Sequence, residues 1–471
     1  MSAPITLESP PAPRTTAAFW TTAAALLTLI AGTEIPTPLY VLYRARFGLS
    51  NAMLTTVFAI YALALIPTLL IGGRLADRFG RRRLIIGGLL AAAAGSLLLS
   101  AADSTTWLLA GRAIQGVAVG AATGAATAAL VELDGPHRRA AAVATSAVAG
   151  GGAAGPLLSG LLAQYAPAPR TLSYLIETAL LLTLAATLPA TGTWPSPTSP
   201  SAKPLPHPSQ SRLSASSRFR SSASSRSRSF ASSQSRSFAS SRSRPSTSSW
   251  SRLSTSSWSR RAFGRDHTQH ASSRPSTRPP FGIPADIRIP FARIGITVGT
   301  AWSVGALYTS VVPSYAVGLL HTRNLAVLGA VAFVMLATAA ASQLVLRSVP
   351  SRSAQSVGLG LLTVGLVALV VAFPTGSALW LVGSAVLDGL GLGLAFLGAQ
   401  AELNRIAPPR HRAELAAAFN VCLYCGVAFP VVGVGLLADG TSLFAAVTAF
   451  AAGIGALATL TAVWTRTATI P

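Results

Sequence analysis

Charge is scarce in this chain. Only 10% of its 471 residues are Asp, Glu, Lys or Arg, while 51% are hydrophobic and the mean hydropathy is +0.53. Soluble domains carry about 25% charged residues, so the balance excludes a soluble enzyme with a single anchor and requires a chain that crosses a bilayer repeatedly. Cysteine is almost missing. Its two copies, Cys422 and Cys425, form a Cys-x-x-Cys inside an apolar run with no further cysteine to join them. They read as small packing residues rather than as a redox or metal site, and neither a metal nor a cofactor is expected. No glycine-rich loop ending in Lys-Ser or Lys-Thr is present, which excludes a nucleotide-driven pump and leaves an ion gradient as the energy source. The N-terminus lacks a basic stretch and a cleavage site, so no removable signal peptide is expected. Lysine occurs once among 36 basic residues, a bias that reflects a GC-rich coding sequence more than any partner.

What the chain does have is long apolar runs. At ~1.5 Å per residue and ~30 Å of hydrocarbon, twelve runs reach spanning length, six on each side of a polar interval. The expected organisation is a tail at 1–16, a six-helix bundle at 17–193, a Ser/Arg/Pro-rich linker at 194–285, a second bundle at 286–465 and a tail at 466–471. The fold class is therefore an all-α polytopic membrane protein with twelve transmembrane helices in two six-helix halves. The net charge of +23 raises the question of nucleic acid, but 15 of the 36 basic residues lie between Lys203 and Arg278, in the linker. That segment contains tandem duplications (SRSFASSQ at Ser227 to Gln234, STSSWSRL at Ser246 to Leu253) and too few aliphatic residues to bury a core. It reads as a linker that touches anionic lipid, with RNA binding as the alternative.

Arginine placement sets orientation. With the N-terminus inside, the inner loops hold Arg78 to Arg83, Arg138, Arg139, the linker, Arg347, Arg352, Arg405, Arg410 and Arg412, while the outer loops hold little beyond Arg44, Arg46, Arg170 and Arg323. Both termini are expected in the cytoplasm and the chain in the cell's inner membrane. Trp20, Trp107, Trp194, Trp380 and Trp464 fall near span ends, as interfacial anchors do.

The segment Gly73-Arg-Leu-Ala-Asp77-Arg78-Phe-Gly80-Arg81-Arg82-Arg83 joins two apolar runs and is expected to form a charged turn, tightened at Gly73 and Gly80. Asp77, one carboxylate among arginines, is placed to pair with them or to cap a helix. An internal repeat also runs through the chain. Glu132-Leu133-Asp134 followed by Pro136-His137-Arg138-Arg139-Ala140 is echoed by Glu402-Leu403-Asn404 and Arg410-His411-Arg412-Ala413, and Gly152 and Pro156 by Gly426 and Pro430. Six spans separate the copies, so the halves insert in the same orientation, with a site expected at the midplane between them.

On these residues the chain resembles the major facilitator superfamily, and within it the proton-linked multidrug exporter branch. The loop between spans two and three matches the family's cytoplasmic gating signature at Gly73, Asp77, Arg78, Gly80, Arg81 and Arg82. Arg112-x-x-Gln115-Gly116 in span four resembles the second family motif. Gly151-x-x-x-Gly155-Pro156-x-x-Ser159-Gly160 in span five is similar to the antiporter motif, with serine for one glycine. The segment after span eight, Arg347 to Gln355, has no matching aspartate. The resemblance implies two bundles rocking about a central cavity, with the antiporter segment sealing or bending their interface. Independently, Gly151, Gly155 and Gly160 allow close helix approach and Pro156 favours a kink.

Ionisable groups within a bilayer cost about 2.5–3.5 kcal/mol each, so each needs a reason. Glu34 in span one and Arg112 in span four lie at comparable depth and are expected to pair, the pair being either a proton-coupling element or a static support. Asp388, near the middle of span ten, is expected to carry protons or face a cationic substrate, and Glu177 in span six is a weaker candidate. Glu132 and Glu402 are expected to pair with nearby arginines. Pro36, Pro38 and Tyr40 are expected to break span one. Tyr61, Gln115, Trp302 and Tyr308 are candidates for the cavity wall. The expected function is proton-coupled export of a small amphipathic compound by a single chain, its partners being substrate, protons and lipid rather than nucleic acid. Uptake or export of a sugar or metabolite is the alternative within transport, and a non-transporting receptor or scaffold the alternative outside it.

Overall fold

A computed structural model describes residues 13–134, 139–191 and 283–467. The first half holds α1 (Pro13–Glu34), α2 (Pro36–Phe47), α3 (Asn51–Phe79), α4 (Arg81–Ser100), α5 (Thr105–Asp134), α6 (Ala140–Tyr165) and α7 (Leu172–Thr187). The second holds α8 (Arg288–Ser310), α9 (Val312–Leu320), α10 (Leu325–Val345), α11 (Ser351–Thr375), α12 (Ala378–Ile406), α13 (Arg412–Gly440) and α14 (Leu443–Thr467). Among the described residues 11 helical spans are long and apolar enough to cross a membrane, α1 and α2 counting as one, and the bent pair α8–α9 makes up to 12. The fold is all-α and polytopic. The linker, residues 1–12 and 468–471, Trp194 and the side chain of Asp77 lie outside the described residues.

Prolines and caps set where the helices stop. Span one breaks at Ile35, ahead of Pro36 and Pro38. Span seven breaks at Val311, ahead of Pro313, and bends there by 54°. The Gly73–Arg83 segment departs from the expected turn: α3 runs on to Phe79 and α4 begins at Arg81, so the chain reverses at Gly80 alone, with φ 83°. Arg, Leu, Ala and Phe keep helical hydrogen bonding to the last residue, and Gly73, expected to tighten a turn, sits mid-helix beside open space.

Small residues bring the helices together, because lipid supplies no hydrophobic drive between them. A Cβ on Gly426 of α13 would strike the backbone of Gly299 in α8. Cys422, beside this crossing, packs on Gly295, and both cysteines are free. Within each bundle the charges at helix ends find partners: Arg81 bonds Glu132 at 2.7 Å, and Glu402 accepts from Arg405 at 2.6 Å and Ser351 at 2.9 Å with Arg293 at 3.5 Å. Arg82 donates to the Pro189 carbonyl.

The halves meet along α3–α13 and α6–α10. With an even number of spans in each half, residues 13, 191, 283 and 467 share one face, the terminal face. At the opposite, distal face, two helix starts are capped from the other half. Asp439 at the end of α13 accepts from Asn51 N at 2.7 Å, Asn51 Nδ2 at 3.0 Å and Ala52 N at 3.0 Å, at the start of α3. Gln164 at the end of α6 accepts from Leu325 N at 2.8 Å, at the start of α10. Asn51 and Leu325 are separated along the chain by the same interval as Pro156 and Pro430, so the two caps obey the internal repeat.

Candidate functional site

A cavity of about 310 Å³ lies between the bundles. The first half lines it with Thr33, Glu34, Phe58 and Tyr61, and the second with Trp302, Phe396, Gln400 and Tyr424, among others. Toward the terminal face it continues into a lobe of about 480 Å³ that shares Thr127, Gln400 and Tyr424. At the distal face the Asp439 and Gln164 caps join the bundles. Glu34 is the one charged residue among the described residues that line the cavity.

Glu34 ends α1 at the break of span one, half-buried, and its Oε2 accepts from Thr37 Oγ1 at 3.3 Å. The expected ion pair with Arg112 is not formed: no such contact occurs within 4.0 Å among the described residues. Instead Arg112 Nη1 donates to the carbonyl of the neighbouring Thr33 at 2.9 Å and to Gln115 Oε1 at 3.0 Å. Its guanidinium lies 4.6 Å from the Tyr61 ring centroid and 5.9 Å from that of Phe58, and Nε has no partner among the described residues. A last-turn carbonyl of α1 and two aromatic faces thus take the place of the carboxylate. Arg112 is 1% exposed and sits behind the wall, with Glu34 in front.

Three other candidates are also displaced. Gln115 is buried and belongs to the Arg112 network, its Nε2 donating to Ser96 Oγ at 3.2 Å. Asp388 and Tyr308 are fully buried and outside the cavity lining. Tyr308 Oη lies 2.9 Å from Asp388 Oδ2 and 2.8 Å from Ser384 Oγ, while Oδ1 has no partner and fills the space that Gly365 leaves. Helix rotation turns Asp388 toward Gly365 of α11 and Tyr308 toward Ser384 and Asp388 of α12, and neither toward the cavity lining. Tyr61 and Trp302 do line the cavity, and Trp302 Nε1 is an unsatisfied donor.

The segment Gly151–Gly160 touches both halves. A Cβ at Gly151 would strike the Leu27 carbonyl and one at Gly155 the Ala31 carbonyl, with Glu34 Cβ 2.9 Å away. Gly160 instead faces the Leu325 carbonyl of α10, across the interface. Pro156 lies inside α6 against Gly329. Of the residues of the Gly73–Arg83 segment, Arg78 stacks on Phe79 at 5.5 Å and Arg81 holds Glu132. Ser96, Phe58, Phe396 and Tyr424 carry no motif and were not legible as site residues. Their signal is tertiary.

The model of the Major Facilitator Superfamily matches residues 19–430. The puromycin resistance protein pur8 of Streptomyces alboniger is 39% identical over 146 residues, 30% of this chain and 29% of that protein. The cephamycin export protein CmcT of Amycolatopsis lactamdurans is 35% identical over 125 residues, 26% of each. The chain thus matches less than a third of the length of these curated relatives. Among solved structures, a mutant of the nucleoside transporter NupG superposes with a TM-score of 0.62 at 11% identity, covering 95% of this chain and 99% of that one. A bacterial homologue of the human lysosomal transporter Spinster gives 0.59 at 16% identity, covering 96% and 95%. At these identities the structures speak for the fold alone. The family match over most of the chain, the paired helical halves and the cavity between them together make this protein a multi-pass membrane transporter belonging to the Major Facilitator Superfamily.

Proposed function

We propose that this chain exports small amphipathic compounds, cationic or neutral with an aromatic part, in exchange for protons. One observation carries the reading: among the described residues Glu34 is the sole charge on a wall otherwise made of aromatic, aliphatic, Thr and Gln side chains. A lone carboxylate facing a low-dielectric cavity attracts a cation or a proton and repels anions. Phe58, Tyr61, Trp302, Phe396 and Tyr424 offer ring faces for an aromatic or cationic guest. Two partial relatives are named for resistance to, or export of, an antibiotic, which supports the outward direction.

The cycle follows from competition for Glu34. The cavity is continuous with a lobe toward the terminal face, which the arginine distribution assigns to the cytoplasm of a cell whose inner membrane holds both termini inside. Substrate enters from that side and the proton on Glu34 leaves. Rocking the bundles closes the terminal face and breaks the Asp439 and Gln164 caps, and an outside proton then displaces the substrate. Binding biases the two states only by its differential affinity for them. Gly155 lies against the base of the Glu34 side chain, which places the antiporter segment beside the residue whose occupancy changes.

The test uses proteoliposomes with ethidium and puromycin as probes. Proton release on adding either probe is expected in wild type and to fall about tenfold or more in Glu34→Gln. Asp388→Asn, behind the wall, should keep probe affinity within about twofold. Undiminished coupling in Glu34→Gln would overturn the reading.

A further inference from the structure

Behind Arg112, on the side away from the cavity, lies a second carboxylate. Glu177 of α7 is 4% exposed, and its Oε2 accepts from Ser96 Oγ at 2.8 Å. Ser96 Oγ accepts from Gln115 Nε2 at 3.2 Å, and Gln115 Oε1 accepts from Arg112 Nη1 at 3.0 Å. Every donor in this chain points the same way, from guanidinium to carboxylate. It is an ion pair stretched over two neutral side chains, and aligned hydrogen bonds of this kind reinforce one another. The Glu177 carboxyl also lies against Gly32, where an added Cβ would overlap it. Three consecutive residues of α1 are therefore held from three sides: Gly32 by Glu177, the Thr33 carbonyl by Arg112, and Glu34 by α6 through Gly155.

We infer that Glu177 is a positioning residue for coupling: a second counter-ion of Arg112, wired through Gln115 and Ser96, that balances the guanidinium when Glu34 is occupied by a proton or a substrate cation. The physical requirement is strict. Arg112 cannot give up its charge, and a buried cation left without compensation costs several kcal/mol. Glu34, the exchangeable group, lies beyond ion-pair distance and adds to that compensation only through space, and only in the part of the cycle in which it is ionised. Two carboxylates on opposite sides of one guanidinium supply it throughout, and the shared charge transmits the occupancy of the cavity into the α1–α4–α7 packing. The other titratable or charged groups facing this network are Glu34 on α1, Tyr40 and Tyr43 on α2, Tyr61 on α3, Arg112 on α5 and Tyr174 on α7, whose hydroxyl meets that of Tyr43 at 3.1 Å, while Arg44 and Arg46 lie at the end of α2 and Glu132 and Asp134 at the end of α5. The arginines of α4 lie at its far end, and α6 adds only Tyr165, exposed at its terminus.

Two measurements test this. Acid–base infrared difference titration of the purified full-length protein in nanodiscs needs no substrate. Each of Glu34→Gln and Glu177→Gln should remove one carboxyl signal and move the midpoint of the surviving one by at least about one pH unit, the mark of coupled titration. A Glu34 midpoint indifferent to Glu177→Gln would overturn the inference. The second measurement rests on the export reading. Proton-driven ethidium export should fall about tenfold in Glu177→Gln while ethidium affinity moves less than about twofold, and Glu177→Asp should restore the rate. Equal loss of affinity and rate, unrescued by Glu177→Asp, would make Glu177 merely structural. Wild type that moves no ethidium would count against the substrate class, and the infrared arm still decides Glu177.

Discussion

Glu34, Arg112 and Glu177 illustrate how little of an intramembrane charge's role resides in its own position. All three stand at similar depth in different helices, and depth alone suggested a Glu34–Arg112 pair. The fold instead spends the guanidinium on a helix-end carbonyl, two ring faces and a relay leading away from the cavity. This leaves Glu34 half-buried at the wall, with a long hydrogen bond from Thr37 and no arginine within ion-pair distance among the described residues, an arrangement that suits a group meant to be exchanged. Gly32 is the quiet partner of this design. Gly32→Ala should destabilise the protein by about 1–3 kcal/mol through overlap with the Glu177 carboxyl, seen as a lower melting temperature in detergent. Pairing it with Glu177→Asp, which withdraws that carboxyl, should recover part of the loss, since residues in contact are not additive. Full additivity would show that the overlap is relieved elsewhere.

The informative elements are those whose ends depart from their apolar run. The charged segment after span two is two abutting helix ends and a single glycine, because its residues are good helix formers and only Gly80 tolerates positive φ. Spans one and seven break ahead of prolines, at equivalent places in the two halves and on opposite sides of the cavity. At the distal face, α3 and α10 begin on side-chain caps from the other bundle. Ser50 and Asn324 also cap them locally, accepting from Met53 N at 3.2 Å and Ala326 N at 2.9 Å. A lost cap costs about 1 kcal/mol, enough to shift a two-state equilibrium several-fold. In a chain carrying Cys422→Ser and Cys425→Ser, Asp439→Ala should therefore raise labelling of a Thr309→Cys probe by a membrane-impermeant thiol reagent applied from the distal face about threefold to tenfold. Unchanged labelling would mean that the Asp439 cap does not hold the closure.

For the whole molecule, the two halves repeat each other in spacing but not in charge. The first half owns Glu34, Arg112 and Glu177, while the second owns Asp388, sealed against Tyr308 and Ser384. Even the paired caps differ, a carboxylate on one side and an amide on the other. This asymmetry fits a machine whose coupling chemistry sits in one bundle while both bundles share the walls of the cavity. Removing residues 200–280 should leave ethidium exchange in proteoliposomes within about twofold of wild type, as expected when a linker acts only as a tether. A larger loss would assign that segment a role in transport.

By itself the sequence determined that the chain is helical, crosses the bilayer many times and joins this family. Span length, arginine runs and glycine spacing are local quantities that one chain reports directly. It also named the few ionisable groups worth explaining, because hydrocarbon makes each of them costly. Only the tertiary structure decided which of those groups meet. Whether a mid-span residue faces the cavity, a neighbouring helix or lipid depends on helix rotation and crossing, and a turn of one residue moves a side chain by about 100° around the helix axis. That rotation exposes Glu34, hides Asp388 and Tyr308, and lines up Arg112, Gln115, Ser96 and Glu177.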